Sequence, residues 1–247
     1  MALNRWCLES RNWLKKMSDE IKKRRQQVLY DKKWEKFLKR AWPFRHIPFV
    51  DFVLAAGSLA YGNIRKESDF DVIVAARSGR IFTARFFCAA AFGLLGWRRK
   101  RLSHDETAAD KVCLNHFVIP ASYRLSPPHN VYWKNLYFNL VPVFGDPVRI
   151  NEFFAVNGDW LEEEKKYRDD LRHLHKSSSR LKIFFEEIFS GKFGDAIERF
   201  LKKIQVRRIE RSLKSDAPGY KPRIIYSDRE LEFHPDTKRI EIWYSLS

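Results

Sequence analysis

The sequence predicts an α+β protein: a mixed β-sheet with flanking helices, followed by a helical region and a short β meander. Three short apolar runs, at residues 49–55, 70–75 and 112–119, are bounded by proline, glycine or polar residues and predict buried strands. Longer segments with apolar residues at helical spacing lie between and after these runs. The chain has 247 residues, which suits one mixed domain with appendages or two small domains, and 45% of them are hydrophobic, which is enough for a packed core.

Changes of pattern divide the chain into four predicted segments. Residues 1–46 are rich in lysine and arginine and predict a basic helical arm, which is expected to break near Tyr30 and to end before Pro43. Residues 47–150 hold the predicted strands, and residues 151–215 are helical in pattern. Residues 216–247 alternate between polar and apolar side chains, which predicts the meander.

The charge balance favours acidic partners. The chain has 47 Lys and Arg against 31 Asp and Glu, a formal net charge of +16. Such a surface attracts RNA, nucleotides and other acidic acceptors and repels cationic small molecules. The three cysteines are too scattered for a disulfide framework, so the composition predicts a cytoplasmic protein. Cys113 and His116 have a C-x-x-H spacing but no second half-site, and we expect them to be ordinary strand residues.

The most apolar stretch predicts a buried helix rather than a membrane span. It covers twelve residues, Phe86–Trp97, whereas a helix needs about 20 to cross a bilayer. The sequence therefore predicts no transmembrane segment. Four basic residues, 98–101, follow the stretch, so peripheral contact with an anionic membrane surface is an alternative reading.

The segment GSLAYGNIRKESDFD, from Gly57 to Asp71, concentrates residues suited to phosphate chemistry. Asp69 and Asp71 are two apart at the start of a predicted strand, so their carboxylates project from the same face. Oxygen ligands of this kind are those that Mg²⁺ prefers. Gly57 allows close approach of the backbone to a phosphate, and the hydroxyl of Ser58 can donate to phosphate oxygens.

This segment resembles a known signature. GSLAYG followed by SDFDVIV is similar to the motif of the DNA-polymerase-β-like nucleotidyltransferase superfamily, most of all in its minimal and antibiotic-modifying members. The resemblance is close over residues 49–75 and diffuse to about residue 150. It implies transfer of a nucleoside monophosphate from a nucleoside triphosphate, expected to be ATP, to a hydroxyl acceptor. By the same resemblance, Asp69 and Asp71 bind Mg²⁺ and catalyse, while nucleotide binding falls to Gly57, Ser58 and Ser68.

The chain departs from that family at one position. Members usually carry a third carboxylate on a later strand, where it takes the proton of the incoming hydroxyl. In the third apolar run the central polar residues are Asn115, which cannot accept a proton, and His116, which can. Asp110 precedes this run, and Asp105 and Glu106 lie in the loop before it. One of these groups replaces the carboxylate, or the chain is a degenerate module that binds nucleotide or RNA without turnover.

Overall fold

The computed structural model describes residues 2–99, 108–127, 129–161, 172, 178–214 and 223–234. These residues form a six-stranded mixed sheet with helices on both faces. The elements in chain order are α1 (Ala2–Ala41), β1 (Val50–Ala55), α2 (Gly57–Tyr61), β2 (Phe70–Ala76), α3 (Ile81–Leu94), β3 (Val112–Val118), α4 (Val131–Phe138), β4 (Val141–Gly145), α5 (Pro147–Ala155), α6 (Gly158–Leu161), α7 (Arg180–Ile188), α8 (Gly191–Lys214), β5 (Arg223–Tyr226) and β6 (Glu230–His234). This architecture confirms the predicted α+β class.

The strand order is β4-β1-β2-β3-β6-β5. Strands β2 and β3 are parallel, and every other neighbouring pair is antiparallel. Helix α3 makes the long connection that two parallel strands require. The connection between β1 and β2, residues 56–69, contains α2, and its first residue, Ala56, is hydrogen-bonded to Asp71 near the start of β2. The glycine-bearing turn and Asp71 therefore lie beside each other at one end of the sheet.

Two hydrophobic layers cover the sheet. One layer contains α1, α3 and α8, with Phe37 packed on the sheet residue Phe70 and Phe92 packed on Phe44. The other contains α4, α5 and α6, with Trp133 and Phe153 in its centre. Because side chains alternate along a strand, β2 sends Phe70 and Val72 into the first layer and Ile73 into the second. Asp71 therefore lies on the face that α4 covers.

Helix α1 is one continuous helix, so the predicted break near Tyr30 is wrong. The ring of Tyr30 packs edge-on against Trp34, whose ring centroid is 6.3 Å away, and the next turns bury Trp34 and Phe37. Gln27 donates to Asp31 one turn later at 2.8 Å, so this aspartate is satisfied within the helix. The helix ends at Ala41, before the proline that was predicted to stop it.

Helix α3 occupies most of the apolar stretch that was predicted to be a buried helix. Its inner face contributes Phe82, Cys88 and Phe92 to the core, whereas Phe86 and Leu94 are exposed. Within the described ranges, no helix combines the length and the apolar character needed to cross a bilayer. Contact with a membrane surface stays a prediction, and Lys100 and Arg101 lie outside the described residues.

The C-terminal segment contains the predicted hairpin. Strands β5 and β6 pair antiparallel, and β6 also pairs with β3, which joins the hairpin to the central sheet. The last alternating run of the predicted meander, residues 239–244, lies outside the described residues. The division into four segments stays a prediction, although α5 runs across the boundary predicted between residues 150 and 151.

Candidate functional site

The turn between β1 and β2 brings a glycine against a carboxylate. Gly57 has a φ of 61°, a conformation that favours glycine, and a Cβ at this position would overlap Oδ2 of Asp71. The amide of Ala56 donates to the carbonyl of Asp71 at 2.9 Å, which ties the start of the turn to β2. Helix α2 ends at Gly62, whose φ of 79° is the left-handed conformation of a helix C-cap.

The two predicted metal ligands lie together. Asp69 immediately precedes β2 and Asp71 is its second residue. One carboxylate oxygen of each and the sulfur of Cys113 all lie within 4.8 Å of one another. Arg99 holds Asp69 from the other side, with its Nη1 2.7 Å from Oδ2. Thus an arginine balances part of the negative charge of the pair.

The electrostatics of Asp71 are unusual. Burial, and next the negative charge of Asp69, raise the pKa of Asp71 to about 7, although Arg99 and the thiol of Cys113 act in the opposite direction. Burial and the two aspartates also raise the pKa of Cys113 well above its ordinary value. Cys113 is therefore a neutral thiol at physiological pH, and it donates to Asp71 rather than acting as a thiolate.

Strand β3 forms the wall opposite Asp71. Cys113 is the register partner of Asp71, and the next paired residues are Ile73 and His116, so β3 carries one additional residue in this interval. Asn115 donates through Nδ2 to Oδ1 of Asp71 at 3.3 Å. His116 instead lies 3.0 Å from Glu230 of β6. The β3 groups that reach Asp71 are thus the thiol of Cys113 and the amide of Asn115, and His116 does not replace the missing carboxylate.

Asp110 does not replace it either. Its two carboxylate oxygens pair with Nζ of Lys33 at 2.7 Å and Nζ of Lys36 at 2.6 Å, both on α1. These ammonium groups hold the pKa of Asp110 below its ordinary value, although burial acts the other way. It therefore anchors α1 to the loop before β3. The other two candidates, Asp105 and Glu106, lie outside the described residues.

A cavity of about 190 Å³ opens at the carboxylate of Asp71. Its wall combines polar groups from the turn, β2 and β3 with apolar groups from α4 and β6; the lining residues are Ala56, Gly57, Asp71, Ile73, Arg99, Cys113, Asn115, Tyr132, Leu136, Phe233 and His234. Whole small-molecule sites usually measure about 300–1,000 Å³. The cavity is therefore smaller than a typical site for a whole small molecule.

The two predicted serines do not line this cavity. The hydroxyl of Ser68 accepts from the amide of Arg65 at 3.0 Å, and its carbonyl accepts from Lys33 at 2.9 Å, so Ser68 shapes the turn before Asp69. Ser58 is the second residue of α2 and is half-buried. The described residues show no hydrogen bond for its hydroxyl. Nucleotide binding by Ser58 and Ser68 stays a prediction.

Sequence reasoning missed several groups in the wall. Arg99 follows α3, Tyr132 lies on α4, and His234 ends the last described strand, so no local spacing connects them with Asp71. Burial, His116 and Arg223 all lower the pKa of His234 well below its ordinary value, so its imidazole is neutral. Cys113 alone had a sequence signal, since it lies two residues before Asn115 on a predicted strand.

The carboxylate pair fits a hard divalent cation. Two adjacent carboxylates, one with its pKa raised to about 7, carry excess negative charge that a cation would relieve. Their oxygens suit Mg²⁺, whereas the neutral thiol of Cys113 does not. Asp69 and Asp71 are therefore the residues that would hold the ion. The backbone of Gly57 packs directly on Asp71, which limits the positions its carboxylate can take.

The family resemblance of residues 49–75 stays a prediction. Comparisons of the chain with protein-family models, curated proteins and solved structures found no match. Because a fold alone does not determine an activity, function is inferred below from the chemistry of the cavity and its side chains.

Proposed function

We propose that the chain binds a nucleoside triphosphate, with ATP the expected one, together with Mg²⁺, and transfers the nucleoside monophosphate to a hydroxyl group. The observation that carries this proposal is that Asp69 and Asp71 lie together, with Asp71 packed against the backbone of Gly57 in the wall of a cavity. Paired carboxylates beside a space of phosphate size suit phosphoryl chemistry better than the chemistry of an uncharged substrate.

In the proposed reaction, the acceptor oxygen forms a bond to the α-phosphorus of the triphosphate. The bond between that phosphorus and the oxygen bridging to the β-phosphate breaks, and pyrophosphate leaves. Magnesium bound by Asp69 and Asp71 supplies neutralisation of the charge on the attacking and leaving oxygens. Neither Cys113, a neutral thiol, nor Asn115, an amide, can take the hydroxyl proton, so we infer that it passes to water or to a phosphate oxygen.

The remaining wall residues have roles in binding. Arg99 brings a guanidinium next to the carboxylates, and such a group can bind phosphate oxygens in a bidentate manner. Tyr132 and Leu136 provide the apolar part of the wall. The net charge of +16 favours an acidic acceptor such as an RNA end over a cationic small molecule.

The proposal is tested with α-labelled nucleoside triphosphates and Mg²⁺. The full chain, supplied with an RNA oligonucleotide as acceptor, is expected to transfer label. The double variant Asp69→Asn/Asp71→Asn is expected to lose at least about 10³-fold in rate, because the cation loses both of its carboxylates. Equal transfer by the variant and the wild type would show that the reaction occurs elsewhere.

Asp110→Asn is the matched control. This variant replaces an aspartate by asparagine as the double variant does, but the carboxylate it removes pairs with Lys33 and Lys36 and does not line the cavity. We expect it to transfer label within a few-fold of the wild type, once circular dichroism shows that it is folded. A loss as large as that of the double variant would mean that Asp110 takes part in the reaction.

A second function is favoured by one observation, the amide of Asn115 in hydrogen-bonding contact with Asp71. In that case the chain binds a nucleotide or RNA and does not transfer. Calorimetry would then show binding of Mg²⁺ and ATP by the wild type, while all four labelled nucleotides give no product. Asn115→Asp adds a carboxylate beside Asp71, and a gain of transfer in this variant alone would support the degenerate module.

A further inference from the structure

A second cluster of potential ligands lies on the α4 face of the sheet, between β3 and β6. It consists of His116, Glu232 and His234, which offer one ligand atom each within 4.8 Å of one another. His116 and Glu232 are register partners in the β3–β6 ladder. Nε2 of His234 lies 3.6 Å from Oε1 of Glu232. All three side chains are buried, His116 and Glu232 completely.

Each member of this cluster has a buried polar atom without a partner. These atoms are Nδ1 of His116, Oε1 of Glu232 and Nε2 of His234, and within the described ranges none of them makes a hydrogen bond. A buried group left unsatisfied costs about 1–3 kcal/mol, and native proteins contain few of them. Three in one cluster indicate that a ligand is expected there.

Neighbouring residues hold two of these side chains in the orientation that metal binding requires. Glu230 lies 3.0 Å from Nε2 of His116, and an N–H···carboxylate bond there leaves Nδ1 with its lone pair. Arg223 donates through Nε to Oε2 of Glu232 at 2.7 Å, whereas Oε1 makes no hydrogen bond within the described ranges. A histidine that donates to a carboxylate with one nitrogen and binds a metal with the other is common in zinc proteins.

We propose that His116, Glu232 and His234 form a zinc site, with Glu230 and Arg223 as positioning residues. Two imidazoles and a carboxylate are a ligand set that suits Zn²⁺ and does not suit Mg²⁺. Zinc–ligand distances of about 2.0–2.2 Å place tetrahedral ligand atoms roughly 3.4 Å apart, close to the observed separation between Glu232 and His234. His234 also lines the cavity at Asp71, so the fourth position is left for water or for an oxygen of a bound molecule.

This site is separate from the carboxylate pair and does not depend on the proposed nucleotidyl transfer. The pair offers oxygen ligands for Mg²⁺, whereas this cluster offers nitrogen and oxygen ligands for Zn²⁺. The alternative is that the cluster is only a hydrogen-bonded ion pair between histidine and glutamate, with no bound ion. The experiment below distinguishes the two.

The full chain is stripped with a chelator, incubated with Zn²⁺ and desalted, and its metal content is measured. We expect one zinc per chain and a higher melting temperature with zinc than without it. Replacement by Co²⁺ is expected to give visible bands of a nitrogen- and oxygen-ligated ion. A strong near-ultraviolet thiolate band would show that a cysteine binds the metal instead and would overturn the assignment. A wild-type chain that retains no zinc and melts unchanged would also overturn it.

Variants then identify the ligands. His234→Gln and Glu232→Gln are expected to lose zinc, and Glu230→Gln is expected to weaken zinc affinity by about 10–100-fold because it only orients His116. His129→Gln removes a histidine that stacks on Trp160, and Asp71→Asn alters the other carboxylate set; both are expected to keep zinc. Zinc retained by a folded His234→Gln chain, or lost equally in His129→Gln, would contradict the proposal. If His234→Gln does not fold, the zinc content and melting temperature of the wild type still decide.

Discussion

Gly57 and Asp71 act as a single structural unit, because the backbone of the glycine occupies the space next to the carboxylate. We expect Gly57→Ala to destabilise the fold and to abolish nucleotide binding. An alanine at a φ of 61° costs about 1–2 kcal/mol, and its Cβ would also displace Oδ2 of Asp71. Chemical denaturation and calorimetry with Mg²⁺ and ATP measure the two effects.

Gly79→Ala provides a matched control for that substitution. Gly79 also has a positive φ, 72°, but a Cβ there meets no described atom within 4 Å. The unfolding free energy of this variant should therefore fall only by the conformational cost of alanine at a positive φ, and the variant should bind nucleotide like the wild type. If both variants bound nucleotide equally well, contact between Gly57 and Asp71 would have no role in the site.

The raised pKa of Asp71 predicts how stability depends on pH in metal-free protein. In the unfolded chain the group titrates near 3.8, and in the folded chain near 7. Between these two pKa values the folded state keeps a proton that the unfolded state has lost. The stabilisation from this proton is fully present below the pKa of the unfolded chain and disappears as pH rises through the pKa of the folded chain. At about 1.4 kcal/mol per pKa unit, we expect unfolding free energy to fall by roughly 2–4 kcal/mol between about pH 4 and about pH 8.

Urea denaturation with a chelator across that range checks this prediction. Asp71→Asn should flatten the curve, because the titrating group is gone. Asp69→Asn should flatten it in part, because it removes the second cause of the shift. Parallel curves for Asp71→Asn and the wild type would show that another group carries the pH dependence.

Some site residues are predictable from local spacing and others are not. Asp69, Asp71 and Gly57 could be placed together because the turn and the strand period are local properties. The contacts of Asn115 and His116 could not be assigned, because an additional residue in β3 relative to β2 decides that Asn115 rather than His116 contacts Asp71. A bulge of this kind depends on pairing between strands and leaves no clear local signal.

At the scale of elements, α8 caps α3 through a single side chain. Glu198 accepts from the amides of Phe82 and Thr83, at 2.9 and 2.8 Å, and from the Thr83 hydroxyl. The side chain of Arg80, the N-cap residue of α3, makes no capping hydrogen bond of its own. We expect Glu198→Ala to lower the unfolding free energy by about 3 kcal/mol, because buried donors lose a charged acceptor.

Glu210→Ala is the comparison, since Glu210 is exposed on the same helix. Its unfolding free energy should remain within about 0.5 kcal/mol of the wild type. Denaturant titrations of both variants separate the loss of the cap from the loss of a glutamate on α8. A similar small change in both would mean that Glu198 contributes little to the docking of α8.

The elements were more predictable than their contacts. Short apolar runs identified β1, β2 and β3 because buried strands need continuous apolar side chains. The continuity of α1 was missed because packing of Tyr30 and Trp34 against the core outweighs the local pattern. The cap between Glu198 and Phe82 joins residues 116 positions apart, and nothing near either residue indicates it.

At the scale of the whole molecule, basic side chains lie on two helices with different relations to the cavity. The middle of α1 reaches the turn after α2, where Gln26 donates to the carbonyls of Gly62 and Ile64 at 3.2 and 2.9 Å. Helix α8 lies in the same layer as α1, but there it packs on α3. An acidic acceptor bound at the cavity is therefore expected to run along α1.

Two charge-matched variants test that expectation. The first variant replaces three exposed basic residues of α1 by glutamine, namely Lys23, Arg24 and Arg25. The second variant replaces three exposed basic residues of α8 by glutamine, namely Arg207, Arg208 and Arg211. Both lower the net charge equally, so long-range attraction changes alike. RNA binding is measured by fluorescence anisotropy with single-stranded RNA across a salt series. The α1 variant should lose about tenfold or more in affinity, and its slope of log binding constant against log salt concentration should be smaller by about 2. Equal losses would indicate non-specific attraction, and a greater loss in the α8 variant would place the acceptor along α8.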